Sequence, residues 1–221
     1  MANAQRPDVR RYGKPLAVLA VAVLVTVVWP PFHVRRIGDG SLPKASAPPS
    51  VAAVDVPRFA VQFWNEKLVP AGDAAVDAKL LGDALLANAD AAADRYGRRA
   101  GLGGDAVYLL QATGRISALD DRQVTLNLDP AGKLTLVIPR GPIFGNVLRD
   151  SSGLLAASAF SSFDFNALSS ELNIRAETVV KDASPRLAPG ASLRLAGGAE
   201  VAAAGGRVLF TLTPTRIEPA P

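Results

Sequence analysis

The most constraining feature of the sequence is a long alternation of apolar and polar residues across positions 107–150. Three segments each place an apolar residue at every second position, which is typical of β-strands with one buried face. Residues 129–132, Asp-Pro-Ala-Gly, suit a turn because proline presets φ and glycine accepts a positive φ. Asp120 and Asp121 occupy the other turn. The pattern therefore predicts a meander of antiparallel strands that frames one domain.

The residues before this domain divide into three segments by composition. Residues 1–14 form a basic leader, which we expect to be cytoplasmic. Residues 15–34 form an apolar stretch close to the roughly 20 residues that a bilayer-spanning helix requires. Residues 35–56 are rich in Pro, Ser, Gly and Ala and are predicted to be a linker. Residues 57–221 then make up the predicted folded domain.

Two interpretations of the apolar stretch are open. A cleaved signal peptide also has a basic start and a short apolar run, but it requires small residues at a cleavage site just after that run. Residues 27–31, Val-Val-Trp-Pro-Pro, offer no such site. The sequence therefore favours an uncleaved signal-anchor. The basic leader predicts a cytoplasmic N-terminus, although Arg35 and Arg36 on the other flank oppose it.

Helical spacing of apolar residues predicts further segments of the domain at residues 57–69, 77–87 and 168–181. In the second of these, Leu80, Leu81 and Leu85 form the stripe expected to pack on the sheet. The aromatic residues Phe59, Phe63 and Trp64 of the first are expected in the core. We also expect Pro70 to end the first helix, Asp90 to cap a further short helix, residues 163–165 to be a short strand, and Pro214 to end a strand over residues 207–213.

Composition excludes several classes of function. Residues 1–34 hold four of the 24 basic and one of the 20 acidic residues, so they carry +3 of the net charge of +4. The remainder is almost balanced, which does not fit a nucleic-acid-binding protein. The chain has no cysteine and a single histidine, His33. Thiol chemistry, histidine triads and His-rich metal sites are therefore excluded, and we predict a non-enzyme with no catalytic residue, metal or cofactor.

Two groups of charged residues are candidates for binding. Arg95, Arg98 and Arg99 surround Tyr96 and could hold an anion, although complementation of a helix dipole and surface ion pairs are the favoured explanation. Arg149 and Asp150 could line a site or form a structural ion pair, and the structural pair is favoured. The adjacent carboxylates of Asp120 and Asp121 would point to opposite faces of a strand, so they make a poor acid–base pair.

Several motifs in order resemble one protein family. The matching pieces, spread over residues 57–217, are Trp64 with residues 67–70 (Lys-Leu-Val-Pro), residues 75–77 (Ala-Val-Asp), Leu80-Leu81, residues 95–99 (Arg-Tyr-Gly-Arg-Arg), Gly101, Tyr108, Gly114, Gly141-Pro142, residues 148–150 (Leu-Arg-Asp), Leu172-Asn173 and Thr213-Pro214. The chain is similar to the predicted periplasmic lipoproteins of unknown function that are often encoded beside ribose-type sugar ABC transporters.

The resemblance implies an α+β, mainly β fold, namely a closed OB-like antiparallel β-barrel with accessory helices, here preceded by a transmembrane helix. It also implies an extracytoplasmic location, and together with the apolar stretch of residues 15–34 we expect a single-span protein of the bacterial inner membrane with its C-terminal domain in the periplasm. Since no cysteine is present for lipid attachment, we expect the apolar stretch to hold the protein. The predicted function is non-catalytic assistance to a sugar-type ABC transport system by contact with its permease or solute-binding protein. The alternative is a β-barrel module that binds a small ligand or a glycan.

Overall fold

The computed structural model describes residues 54–99 and 105–220. The helices are α1 (Val56–Phe63), α2 (Val69–Asp73), α3 (Ala78–Ala87), α4 (Ala89–Tyr96), α5 (Val147–Ser151) and α6 (Ser162–Ala183), with a π-helical segment (Trp64–Leu68) between the first two. The strands are β1 (Val76–Asp77), β2 (Arg98–Arg99), β3 (Ala106–Leu119), β4 (Gln123–Asn127), β5 (Leu134–Pro139), β6 (Ser192–Ala204) and β7 (Arg207–Pro219).

The strands form one mixed sheet organised around β3. This strand pairs antiparallel with β4 at one end and with β6 along most of its length. The β4–β5 pair is also antiparallel, which confirms the predicted meander of β3, β4 and β5. The β6–β7 pair is antiparallel as well, whereas β5 and β7 run parallel. The order of neighbours β3, β4, β5, β7, β6 thus returns to β3. The short β1 and β2 add to β3 outside this circuit.

Aspartates fix both turns of the meander, as the sequence predicts. Asp129 Oδ1 accepts a hydrogen bond from Leu134 N at 2.7 Å, and Gly132 has the positive φ of +65°. Asp120 Oδ1 accepts bonds from the backbone N–H groups of Arg122 and Gln123 at 2.7 and 2.9 Å. These backbone donors lower the pKa of both carboxyl groups from the ordinary value.

The inner face of the sheet forms the first of two apolar cores. Its fully buried side chains come from alternate positions of β3, β4, β5 and β7, as period-two spacing requires, and include Leu110, Leu126, Leu136, Ile138, Phe210 and Leu212. Helix α3 contributes Leu81 and Leu85 to the same core. Burial of such side chains is the main favourable contribution to folding here.

A second core joins the N-terminal helices to α6. It includes Phe63, Trp64 and Leu68 from the first helical segments and Leu168 and Leu172 from α6. The rings of Phe59 and Phe63 stack with centroids 6.1 Å apart, and Phe160 meets Phe59 edge-on at 5.4 Å. The prediction that these N-terminal aromatic residues serve the core is therefore confirmed.

Pro70 does not end the first helix as predicted. The chain remains helical to Asp73, because the segment Trp64–Leu68 widens into π-helical turns in which Val69 N donates to Trp64 O five residues earlier. Pro70 then falls in the first turn of α2, where a missing N–H is tolerated.

Other predicted boundaries are wrong for local reasons. Asn88, and not Asp90, caps α4, since Asn88 has extended backbone angles and its Oδ1 accepts a bond from Ala91 N at 3.0 Å. Residues 163–165 form the first turn of α6 and not a strand. Ser161 starts that helix, because its Oγ accepts a bond from Asp164 N at 3.0 Å.

Pro214 lies inside a strand and does not close the domain. β7 continues to Pro219, and Pro214 faces Gly197 where the register between β6 and β7 shifts. A bulge of this kind tolerates a residue that has no N–H to donate. The Cβ of any side chain at Gly197 would clash with the backbone of Thr213.

Helices and strands occupy comparable lengths of the domain, so the expectation of a mainly β domain underestimated the helices. The 22-residue α6 accounts for much of the difference. No helix among the described residues is both long and apolar enough to span a bilayer. The predicted leader, anchor and most of the linker, like the glycines at 101, 103 and 104, lie outside the described residues.

Replacing Leu126 with Asp is expected to lower the free energy of unfolding by about 4 kcal/mol or more, because an unpaired carboxylate would enter the first core. Leu80 provides the control. The sequence pattern places it in the packed stripe of α3, but it is 56% exposed, so Leu80→Asp is expected to have little effect. Urea denaturation of the two full-length variants in detergent measures their free energies of unfolding. Equal decreases in the two variants would contradict the burial assigned to Leu126 and the exposure assigned to Leu80.

Replacing Asp129 with Ala tests the turn by its pH dependence. The pKa of the Asp129 carboxyl is lower in the folded protein than the value of about 3.9 expected in the unfolded chain. The ionised carboxylate therefore stabilises the fold at pH values above about 3.9, and this contribution is lost as the pH falls through the folded-state pKa. The wild type is therefore expected to be more stable than the variant at neutral pH, and the gap is expected to narrow in acid. Urea titrations at several pH values measure the free energy of unfolding of both proteins. If the difference between them stayed constant from neutral to acid pH, the Asp129 carboxylate would not contribute to stability.

Candidate functional site

The structure places the arginine-rich segment on the surface, at the junction of α4 and β2. Arg95 lies over the ring of Tyr96, with its guanidinium carbon 5.1 Å from the centroid. Arg98 donates to Gly97 O at 3.3 Å and extends towards Gly153, just beyond α5. Burial raises the pKa of the Tyr108 phenol, and the charge of Arg99 offsets part of that rise. Each of these cations thus has a local interaction, and they do not converge on one point.

Arg149 and Asp150 form a buried ion pair on α5. Arg149 is 7% exposed, and its Nε and Nη2 donate to the two carboxylate oxygens of Asp150 at 2.7 and 3.1 Å. Its Nη1 donates to Phe165 O at 3.2 Å and reaches Asn166 Oδ1 at 3.4 Å. Its guanidinium carbon lies 3.9 Å from the centroid of the Phe165 ring. The pair therefore holds the first turns of α6 against α5, as the structural interpretation predicts.

The two predicted groups lie near each other at α5. Arg98 approaches the segment that follows α5, so both groups flank the same short helix. The Arg149 guanidinium, however, is directed at Phe165 and Asn166. The guanidinium groups of Arg98 and Arg149 therefore have different local partners.

A cleft without lysine or arginine lies beside the Arg149 pair, between α6 and the loop of residues 143–146. Its volume is about 390 Å³. Ile143 N donates to Glu177 Oε1 at 2.7 Å, and Asn173 Nδ2 donates to Gly145 O at 3.0 Å. Gly145 has φ of +94°, which favours glycine at this position. These two bonds hold the loop against the helix and so fix the shape of the cleft.

The side chains that line this cleft combine apolar surface with neutral hydrogen-bonding groups. Phe144 is 82% exposed and Ile174 is 56% exposed. The polar lining consists of Asn146, Asn166, Ser169, Ser170, Asn173 and Glu177. No lysine or arginine side chain is among the lining residues. A cleft of this kind can hold a neutral ligand by hydrogen bonds and apolar contact.

Sequence reasoning missed the cleft because it placed residues 163–165 in a strand and so did not see the full length of α6. A signal was nevertheless present. Leu168, Leu172 and Ala176 recur at helical spacing, and Ser169 and Asn173 follow two of them, which puts polar residues in the row beside the packed row. Polar residues in such a row are candidates for a site.

Other clefts on the molecule are more charged. One of about 420 Å³ is lined by Asp121, Arg140, Glu177 and Lys181 among others, and one of about 270 Å³ contains the ion pair of Arg216 with Asp73. Within residues 54–99 and 105–220, no three His, Asp or Glu side chains come together so as to hold a metal ion.

Replacing Arg149 with Ala is expected to lower the free energy of unfolding by about 3–5 kcal/mol, because it leaves Asp150 without its partner and removes the bond to Phe165 O. Arg186 is exposed and provides the matched control, for which Arg186→Ala is expected to change little. Denaturation of the two full-length variants measures the difference. If Arg149→Ala were as stable as the control, Arg149 would not be a structural residue.

Comparison with known proteins agrees with this architecture. A crystal structure of an OB-fold protein from Thermotoga maritima is similar, with a TM-score of 0.63 and 18% sequence identity, over 76% of this chain and 99% of that one. At this identity the likeness establishes the fold alone. A search of curated proteins finds no match to the sequence.

The sequence also matches a protein family along nearly its whole length. The match covers residues 18–218, and the family is described as predicted periplasmic lipoprotein (DUF2291). The extent of this match establishes the family, and the OB-fold neighbour agrees with it in fold alone. The chain belongs to this family of predicted periplasmic lipoproteins.

Proposed function

We propose that this protein is a non-catalytic, membrane-anchored periplasmic protein that assists a sugar-type ABC transport system by contact with its permease or solute-binding protein. In this proposal residues 15–34 span the inner membrane once. The circuit of β3, β4, β5, β7 and β6 is a closed OB-like barrel in the periplasm, which the return of the pairing order to β3 supports. The family description supports the periplasmic location.

The observation that carries the contact proposal is an exposed face of α6, formed by Phe163, Ser170 and Ile174. These positions are separated by seven and four residues, so they lie on one side of the helix. Phe163 is 81% exposed, and Ile174 is more than half exposed. Large apolar side chains gathered on one surface are typical of sites that are covered by a partner. We call this surface the α6 face.

The predicted anchor and linker also support a contact function. A domain tethered to a membrane by a flexible linker meets partners in the same membrane at a high effective concentration. A weak contact through a small surface is then sufficient, because the tether reduces the entropy lost on association.

Several features support the absence of catalysis. A general acid or base works best with a pKa near the operating pH. The carboxyl groups of Asp120 and Asp129 are bound to backbone N–H groups in turns, which moves the pKa of each further from neutrality. Glu177 holds the 143–146 loop through Ile143 N. The sequence has no cysteine, and its single histidine lies at the end of the predicted anchor.

The second candidate, a module that binds a small ligand or glycan, is favoured by the cleft between α6 and the 143–146 loop and not by the arginines. The usual binding surface of OB-folds involves the second and third barrel strands and long loops around them. Here those strands would be β4 and β5, which carry no aromatic residue, and the β3–β4 and β6–β7 connections are only short turns. That surface offers nucleic acid no stacking platform.

Photo-crosslinking in cells tests the contact proposal. A photoreactive amino acid at Phe163 or Ile174 of the full-length protein is expected to yield a crosslink to a permease or solute-binding subunit, identified by mass spectrometry. Leu209 provides the control, since it is an exposed apolar residue that lies on β7 and does not belong to the α6 face. Crosslinks to the transporter that are equally strong from Leu209, or absent from both α6 positions, would contradict the proposal.

A further inference from the structure

We propose that the cleft between the 143–146 loop and α6 binds a neutral polyhydroxylated ligand of the size of one sugar ring. This inference rests on the second candidate function, whose ligand class it names, and it does not depend on the contact function. The volume of about 390 Å³ lies within the range of small-molecule sites. The cleft offers such a ligand one unpaired hydroxyl, a set of neutral amides and an apolar platform, and no lysine or arginine lines it.

Ser169 provides the most specific observation. Its side chain is 5% exposed, it lines the cleft, and its Oγ has no hydrogen-bond partner. A buried serine or threonine within a helix can satisfy its hydroxyl by donating to the carbonyl four residues earlier. Thr178 and Ser184 do so at this helix and its end, at 3.0 and 2.8 Å.

Arg149 explains why Ser169 differs. The carbonyl four residues before Ser169 is Phe165 O, and Arg149 Nη1 donates to that oxygen at 3.2 Å. The ion pair on α5 thus occupies the acceptor that Ser169 would otherwise use. A buried hydroxyl without a partner is costly, and a ligand hydroxyl in the cleft would supply the missing hydrogen bond.

Neutral amides surround this hydroxyl. Asn173 is held in place by its bond to Gly145 O. Asn146 precedes α5, yet its side chain makes no capping bond to that helix. Amides and serine hydroxyls each offer both donors and acceptors. Sugar hydroxyls also donate and accept, so this lining matches a polyhydroxylated ligand better than one with a single polar end.

Phe144 and Ile174 provide the apolar part of the site. Phe144 exposes most of its ring at the mouth of the cleft, on a loop fixed to α6 by two hydrogen bonds. The C–H face of a sugar ring is apolar and packs against an aromatic ring, while its hydroxyls reach the polar groups around its edge. An exposed aromatic ring beside neutral amides is therefore suited to this class of ligand.

The charge of the lining disfavours other ligands. No cation lines the cleft, so phosphorylated and carboxylate ligands would find no counter-charge. The only carboxylate, Glu177, accepts a bond from Ile143 N. An extended peptide would gain most from a free strand edge, and the cleft lies between a loop and a helix.

Calorimetric titration of the full-length protein in detergent with ribose, glucose, galactose and inositol tests the proposal. At least one of these probes is expected to bind saturably at millimolar concentration or below. Ser169→Ala and Phe144→Ala are each expected to weaken binding by about tenfold or more, through loss of a hydrogen bond and of the apolar platform. Leu209→Ala, which removes an exposed apolar side chain of β7 outside the cleft, is the matched control and is expected to bind like the wild type.

Thermal unfolding separates binding from folding in these variants. Ser169→Ala removes an unpaired buried hydroxyl, so its Tm is expected to be equal to that of the wild type or higher. No binding of any probe, unchanged binding by both cleft variants, or tighter binding of glucose 6-phosphate than of glucose would overturn the proposal. Co-sedimentation with cell-wall sacculi then distinguishes a glycan from a free sugar as the source. The crosslinking result at Phe163 is independent of these outcomes.

Discussion

The pairing of β3 with strands on both sides is the constraint on which the rest of the structure depends. Its first part pairs with β6 from Val107 to Arg115, and its last residues pair with β4 from Arg115 onwards. The exchange of partners occurs beside Gly114, where a Cβ would lie 2.7 Å from Leu128 Cδ2 and 3.1 Å from Asn127 O. A side chain at this position would press on Leu128 and on the backbone of Asn127, so glycine suits the close packing at this point of the sheet.

The second core turns this sheet into a platform for α6. Leu168, Leu172 and Ala176 bury one side of the helix against the N-terminal helices, and Arg149 ties its first turns to α5. The opposite side remains in solvent, where it presents Phe163 and Ile174. One buried arginine therefore has two consequences: it orients the exposed face of α6, and it leaves the Ser169 hydroxyl without its usual acceptor.

The two proposals assign different surfaces to different partners. The α6 face is suited to a protein because its large apolar groups lie along the outside of a helix. The cleft is suited to a small neutral molecule because it is concave, fixed by two hydrogen bonds and free of lysine and arginine. Ser170 and Ile174 belong to both surfaces, so a ligand in the cleft would lie next to a docked protein. This proximity gives a physical route by which one event could influence the other.

The sequence by itself determined the antiparallel meander, both of its aspartate turns and the burial of Phe63 and Trp64, because these depend on local periodicity and turn chemistry. It also determined the absence of thiol and histidine-triad chemistry. Tertiary structure decided that β5 and β7 pair in parallel, that Pro70 and Pro214 lie inside regular elements, and that Arg149 is committed to Asp150 and Phe165. Tertiary structure also formed the cleft, because its loop and helix are joined by hydrogen bonds between residues that are 28 and 34 positions apart in the sequence. Such contacts carry no local signature, because nothing in the neighbouring sequence specifies which distant backbone group a side chain will meet.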